Sequence, residues 1–303
     1  MIAACARTAD PQDVRDEVGA ARRRGLTVGF VPTMGALHEG HASLIARSAE
    51  QNDLTVVSIF VNPRQFDDTS DLESYPRDEE GDLHLAAQAG AGLCFLPGVE
   101  AIYPPGHVTR VAIRGPLTET LEGAGRGPGH FDGVCTVLSV LFAIAAPDVA
   151  YFGRKDAQQL RVVSKMVEDL GLPLRIEPVP TARDAAGLAL SSRNARLAGD
   201  RERTAALSLS SSLAGVGAAL ARGELAGGAE AASLGMGLMA SGGADPEYFA
   251  AVNPHTFEPE PSPGPSTLLL CAARVGAVRL IDNMTVREAA AFPTGNGPQR
   301  EES

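Results

Sequence analysis

The feature that most limits the fold is an alternation. Through the first two thirds of the chain, short apolar runs take turns with segments of helical spacing. The runs fall at 26–31, 54–61, 93–96, 149–152 and 174–179. Each reads as a strand buried on both faces. Between them, residues 13–24, 41–51, 78–89, 133–145 and 157–170 carry helical patterns. In the last of these, Leu160, Val163, Val167 and Leu170 recur at helical spacing. Such alternation predicts an α/β unit over residues 1–182, a parallel sheet covered by helices on both faces. Ligands of such sheets bind beyond the carboxyl ends of the strands.

The character changes after about residue 182. A strong helix former spans 205–221, followed by a glycine-rich stretch at 223–243. A short run at 248–252, a proline-rich loop at 254–265 and two apolar runs at 267–273 and 278–281 come next. These predict helices packed on a small antiparallel sheet, a second α+β domain over 183–288. The polar, Pro- and Gly-containing end, 289–303, reads as a disordered tail.

Composition excludes several classes. The 303 residues carry a formal net charge of -11, with 44% hydrophobic residues. A nucleic-acid binder needs a basic stripe to neutralise phosphates, and none is visible. Arg22, Arg23 and Arg24 follow Asp13 and Glu17 and read as a solvated helix end. The four cysteines form no C-x-x-C pair and read as reduced, buried thiols of a cytoplasmic protein. No apolar run approaches the roughly 18 residues needed to span a membrane. The N-terminus lacks the layout of a signal peptide. Of 26 basic residues only Lys155 and Lys165 are lysines, so a lysine inside a motif is noteworthy.

The strongest motif is Val31-Pro32-Thr33-Met34-Gly35-Ala36-Leu37-His38-Glu39-Gly40-His41, between the first predicted strand and a helix. His38 and His41, three apart, project on one side of the helix start. Gly40 lets a nucleotide approach the backbone, and the helix N-terminus offers N–H groups to phosphate. Two imidazoles can add hydrogen bonds to a pentacoordinate phosphate. A structural zinc site needs four ligands, and no third is near.

Three further stretches stand at strand ends or in loops. Phe60-Val61-Asn62-Pro63-Arg64-Gln65 offers Asn62 and Gln65 to a small hydroxy acid, or is simply a strand cap with a turn. In Gly153-Arg154-Lys155-Asp156-Ala157-Gln158-Gln159, Lys155 can neutralise triphosphate, and Gln159 would face the same cleft. Asp156 would cap the helix or hold a metal or a ribose. Leu190-Ser191-Ser192-Arg193-Asn194 is either a phosphate clamp or an N-cap beside a surface arginine. His130, in a glycine-rich loop, reads as a contact at a helix N-terminus, with ligand contact the less favoured role.

Together these blocks resemble the pantothenate synthetase (pantoate–β-alanine ligase) family. V-P-T-M-G-x-L-H-x-G-H, F-V-N-P-x-Q-F, Y-P-R, L-E-G, P-G-H-F-x-G-V, F-G-x-K-D-x-Q-Q and L-S-S-R-N occur in the family's order. H-x-G-H alone marks only the wider nucleotidylyltransferase superfamily, so a transferase with another acceptor is the alternative. The resemblance implies a Rossmann-like ATP domain, a smaller C-terminal lid domain, and a cytoplasmic homodimer. The implied reaction adenylates pantoate with Mg–ATP and passes the pantoyl group to β-alanine. Met34, Gly35, Ala36, Leu37, His38, Glu39, Gly40 and His41 would line ATP, as would Gly153, Arg154, Lys155, Asp156, Ala182, Leu190, Ser191, Ser192 and Arg193. His41, His38 and Lys155 would be catalytic. Thr33, Met34, Phe60, Asn62, Gln65 and Gln159 would hold pantoate, with Gln65 also bordering β-alanine. Two departures stand out. Position 154 is Arg, and Gly81-Asp82 falls where some relatives carry a pair of acids, leaving Asp82 there, beside Asp156, as a protein candidate for Mg2+.

Overall fold

The structure, a computed structural model, describes residues 5–66, 72–73, 75–127 and 129–293. The chain divides into two compact units between Ala182 and Arg183.

The first unit holds a six-stranded, all-parallel sheet. Its strands are β1 (Ala6–Thr8), β2 (Val28–Thr33), β3 (Leu54–Ile59), β4 (Leu93–Phe95), β5 (Val149–Gly153) and β6 (Arg175–Val179), in the order β1-β4-β3-β2-β5-β6. Helices α1 (Pro11–Arg23), α2 (Glu39–Gln51), α3 (Glu79–Gln88), α4 (Gly129–Ala145) and α5 (Ala157–Asp169) connect and cover them. Successive strand residues point to opposite faces, and the core divides accordingly. Phe30, Val56, Leu93, Phe95, Ala150 and Phe152 pack with α1, α4 and α5. Their neighbours Val31, Val57, Cys94, Val149 and Tyr151 pack with Ile45 of α2 and Ala86 of α3. The sheet is therefore buried on both faces, as a parallel sheet must be. β1, three residues long and exposed at Ala6 and Arg7, was not visible in the sequence.

The second unit contains an antiparallel sheet of β7 (Asp245–Val252), β8 (Leu268–Val275) and β9 (Val278–Thr285), with helices α6 (Gly199–Ala221), α7 (Gly228–Ser241) and α8 (Val286–Ala291). Helix α6 is, by length and composition only, long and apolar enough to cross a membrane. This corrects the sequence reading, which found no such run. Here its Ala205, Ala206, Leu209, Leu213 and Val216 form the core. Ser208 and Ser212 on the same helix are buried and donate to the carbonyls of Ala205 and Leu209 at 2.6 and 2.8 Å. The expectation of a disordered tail from Ala289 fails for its first residues. Val286–Ala291 is helical and Ala289 is buried, because the Thr285–Glu288 capping box starts a helix there. Residues 294–303 lie outside the described residues.

Arg183 makes a bidentate pair with Asp282 of β9, at 2.6 and 2.8 Å, and donates to the carbonyl of Gly187 at 3.1 Å. Asp282 is 3% exposed. Removing one partner of a buried pair strands the other charge, at a cost of about 3–5 kcal/mol. Asp282→Ala is expected to lower the stability of the second unit on that scale in urea unfolding. A loss below about 1 kcal/mol would show that water reaches the guanidinium.

Candidate active site

The order of the sheet places a crevice. From β2 the chain passes through α2 to β3 on one side; from β5 it passes through α5 to β6 on the other. β2 and β5 are neighbours, so the turns leaving their carboxyl ends diverge. This is the switch point where ligands of open α/β sheets bind. The turn after β2 carries His38 and His41, and the turn after β5 carries Lys155 and Asp156.

The first turn is fixed from below. Thr33 Oγ1 donates to the Ser58 carbonyl at 2.7 Å and accepts from the Gly35 amide at 3.3 Å. Gly35 and Ala36 then adopt φ of 83° and 50°, the left-handed region that glycine enters freely and alanine does not. The Asp82 carboxylate of α3 accepts from the amides of Ala36 and Leu37 at 2.9 and 2.6 Å. Burial pushes the Asp82 carboxyl up, and these two bonds oppose the shift. Each oxygen of the expected metal candidate thus accepts from one backbone donor. Among the described residues, no group of three or more His, Cys, Asp or Glu is placed to hold a metal ion.

His38 is the N-cap of α2. Its Nδ1 accepts from the Gly40 amide at 3.1 Å, and the His41 Nδ1 accepts from the His38 amide at 3.3 Å. An amide N–H can only donate, so each Nδ1 is unprotonated and each neutral ring carries its proton on Nε2. The rings lie 4.1 Å apart between centroids. Burial is the main reason that His41 is pushed down to about 3; the neighbouring His38 and Lys155 add to it, and Asp156 opposes it. His38 is lowered too, by burial and then by Lys155, again against Asp156. Lys155 Nζ lies 3.8 Å from Asp156 Oδ1. Asp156 occupies the N-cap position of α5 without a side-chain cap bond, so the capping role considered for it is not the one it plays.

The second motif sorts into contact and support. Asn62 is 1% exposed. Its amide donates to Gln65 Oε1 and the Gly133 carbonyl at 3.0 and 3.1 Å, and its oxygen accepts from Tyr103 and the Arg64 amide at 2.8 and 3.2 Å. That fills its hydrogen-bonding capacity inside the protein. Phe60 is buried in the core, edge-on to Tyr103. Both are expected as pantoate contacts; in the substrate-free protein both are buried, Asn62 bonded on each side and Phe60 packed in the core. Gln65 is half-buried, and its Nε2 donates to Met34 Sδ at 2.8 Å. His130, buried at the start of α4, donates from Nδ1 to the Gln65 carbonyl at 2.9 Å. At Gly133 an added Cβ would meet the Arg64 carbonyl oxygen at 2.2 Å, so α4 can press on this turn only through glycine. Tyr103 gave no signal in the sequence, yet it anchors Asn62 and carries the Arg64 guanidinium 4.0 Å above its ring. In α5, Gln158 turns inward to Leu117, Thr120 and Glu122, while Gln159 is half-buried.

The first unit therefore holds two patches: the imidazoles with Lys155 and Asp156, and Met34 with Gln65. Ala182 ends that unit. In the second unit, residues 190–193 are half-buried, the Ser191 hydroxyl accepts from the Arg193 amide at 3.3 Å, and Asn194 donates to the Ala189 carbonyl at 2.9 Å.

A Rossmann-like parallel sheet with H-x-G-H at its switch point defines a protein of the nucleotidylyltransferase class. Within that class, the chain belongs to the pantoate–β-alanine ligase family, whose family model matches residues 7–285. It is 48% identical to the pantothenate synthetase of Moorella thermoacetica over 277 residues, covering 90% of this chain and 95% of that protein. Identity to the pantothenate synthetase of Rhizorhabdus wittichii is 45% over 279 residues, covering 91% and 97%. Among solved structures, a pantothenate synthetase of Thermus thermophilus matches with a TM-score of 0.86 at 41% identity, covering 93% of this chain and 99% of that one. The pantoate–β-alanine ligase of Francisella tularensis, solved in complex with β-γ ATP and β-alanine, matches with a TM-score of 0.77 at 30% identity, covering 94% and 98%.

The locked rings make a titration prediction. Because the folded value for His41 lies below the ordinary 6.5, the unfolded chain binds the proton first, and stability falls as pH drops through the window from 6.5 toward 3. Ring-nitrogen NMR of the substrate-free protein is expected to show His41 neutral, with Nε2 protonated, from pH 8 to below 5. An imidazolium at pH 6 would contradict the geometry.

Proposed function

We propose that this protein condenses pantoate with β-alanine at the expense of ATP, giving pantothenate, AMP and pyrophosphate through a pantoyl-adenylate intermediate. The observation that carries the proposal is the pair of neutral imidazoles, each presenting an Nε2–H beside Lys155 at the switch point. In the first step a pantoate carboxylate oxygen bonds to the α-phosphorus, and the bond to the pyrophosphate oxygen breaks. Negative charge then grows on the phosphoryl oxygens. Donors already aimed at that position stabilise it more in the transition state than in bound ATP. In the second step the β-alanine nitrogen bonds to the acyl carbon, the bond to AMP breaks, and the ammonium proton leaves to solvent.

His41 and His38 are assigned to the α-phosphate and Lys155 to the flanking phosphates. Thr33, Met34, Gln65 and Gln159 are assigned to pantoate, with Gln65 bordering β-alanine; Asn62, Phe60 and His130 hold that set in place. The nucleotide is assigned to the segment from Met34 to His41, to Gly153, Arg154 and Asp156, to Ala182, and in the second domain to Leu190, Ser191, Ser192 and Arg193. Mg2+ is expected to arrive with ATP, since the ion bridges phosphate oxygens and needs only one or two carboxylates. The proposal extends to a cytoplasmic homodimer, as the family resemblance implies.

Isotope exchange tests the order of steps. Pyrophosphate–ATP exchange is expected to require pantoate and Mg2+ but not β-alanine; exchange that demands β-alanine would rule out the adenylate. Loss of one transition-state donor costs roughly 100-fold or more in rate. His41→Ala should therefore lower the rate of adenylation on that scale with unfolding behaviour close to that of the parent. Near-normal turnover would remove His41 from the mechanism.

A further inference from the structure

Asp82 is a buried carboxylate with no cationic side chain bonded to it among the described residues. Such a charge is costly unless strong donors satisfy it. Its donors are two consecutive backbone amides, Ala36 and Leu37, at 2.9 and 2.6 Å. We infer that Asp82 is a positioning residue for the adenylation centre, a clamp on the turn that aims His38 and His41, rather than a ligand for a metal.

Three observations carry this. First, the clamped turn is strained: Ala36 sits at φ 50°, a conformation that costs a non-glycine residue free energy, and charge-assisted bonds to its amide and the next offset that cost. Gly35 fits the same device. An added Cβ there would lie 2.9 Å from Asp82 Oδ2 and 3.3 Å from Ile59.

Second, the first turn of α3 carries Glu79, Glu80 and Asp82, and of these Asp82 alone is buried. Asp78 caps the turn by accepting from the Gly81 amide at 3.0 Å. A Cβ at Gly81 would come within 2.3 Å of Asp78 Oδ2, so a side chain at 81 would displace the cap that orients Asp82.

Third, the clamp is continuous with the imidazoles. Leu37 is held by Asp82 and leads directly into His38, whose own amide fixes the His41 tautomer. If the turn slips, the His38 amide leaves His41 Nδ1, and the ring is free to carry its proton on either nitrogen.

The inference rests on the proposed ligase reading for its kinetic consequence, but its structural readouts do not. Asp82→Asn keeps the shape, but its NH2 faces an amide donor, so at most one bond survives. Pantoate-dependent pyrophosphate–ATP exchange is expected to fall by about 10-fold or more, with KM for ATP changed less than about threefold, because the lost alignment matters in the transition state. Ring-nitrogen NMR of the substrate-free variant should show His41 as a mixture of tautomers. Ala86→Gly, which loosens the same helix, should keep the parental tautomer.

In the unaltered protein the amides of Ala36 and Leu37 should exchange with deuterium about 100-fold more slowly than in a free chain; this decides the clamp even if Asp82→Asn does not fold. A single Nε2–H tautomer in Asp82→Asn, free-chain exchange at Ala36 and Leu37, or a tight Mg2+ site in nucleotide-free protein that Asp82→Asn abolishes would each overturn the inference. Absence of pantoate-dependent exchange in the parent protein would instead overturn the ligase reading alone.

Discussion

A backbone amide cannot reverse its polarity, and the site depends on that constraint. The Gly40 and His38 amides take the Nδ1 atoms as acceptors, which leaves each Nε2 no choice but to donate. A free histidine divides its proton between two nitrogens and, below its ordinary pKa, carries two. Here burial and Lys155 hold off the second proton, and α2 chooses which nitrogen keeps the first. The same helix start that would receive phosphate thus also sets the chemistry of the side chains beside it.

The sheet supplies the second half of the arrangement. Side chains alternate between its faces, and both faces are filled by helices. The remaining place for a ligand is the rim, where β2 and β5 release the chain in opposite directions. The motifs at that rim are not uniform in role. Some of their residues are half-buried, as Gln65, Gln159 and Lys155 are. Others, such as Asn62, Phe60 and Gln158, turn inward: Asn62 bonds Gln65 and the Gly133 carbonyl, Phe60 packs in the core, and Gln158 bonds the backbone of Leu117 and Glu122.

Much of the first unit was legible because burial on two faces writes continuous apolar runs. β1 escaped because three half-wet residues write no pattern. α7 escaped for another reason: it lies in a glycine-rich stretch that ranks low in helix propensity. Tertiary packing decides that element, since an added Cβ at Gly235 would meet the Phe249 ring at 2.2 Å. At the site, the histidines and Lys155 stood out by spacing and scarcity. The direction in which Asn62 points did not, because Tyr103 and Gly133, which hold it, lie 41 and 71 residues away. Asp82 was visible as an acid, but its amide partners, 45 and 46 residues away, were not.

The contact between Gln65 and Met34 bears on how affinity is distributed. A thioether is a weak acceptor, so the resting bond from Gln65 Nε2 to sulfur orients the amide without investing much energy in it. On the proposed assignment of Gln65 to pantoate, an arriving substrate oxygen would be a better partner for the same N–H. Little would have to be surrendered on exchange, so most of the new bond would count toward binding. Had a carbonyl or carboxylate stood where Met34 stands, the amide would be just as well aimed, but the substrate would have to compete with a partner as good as itself.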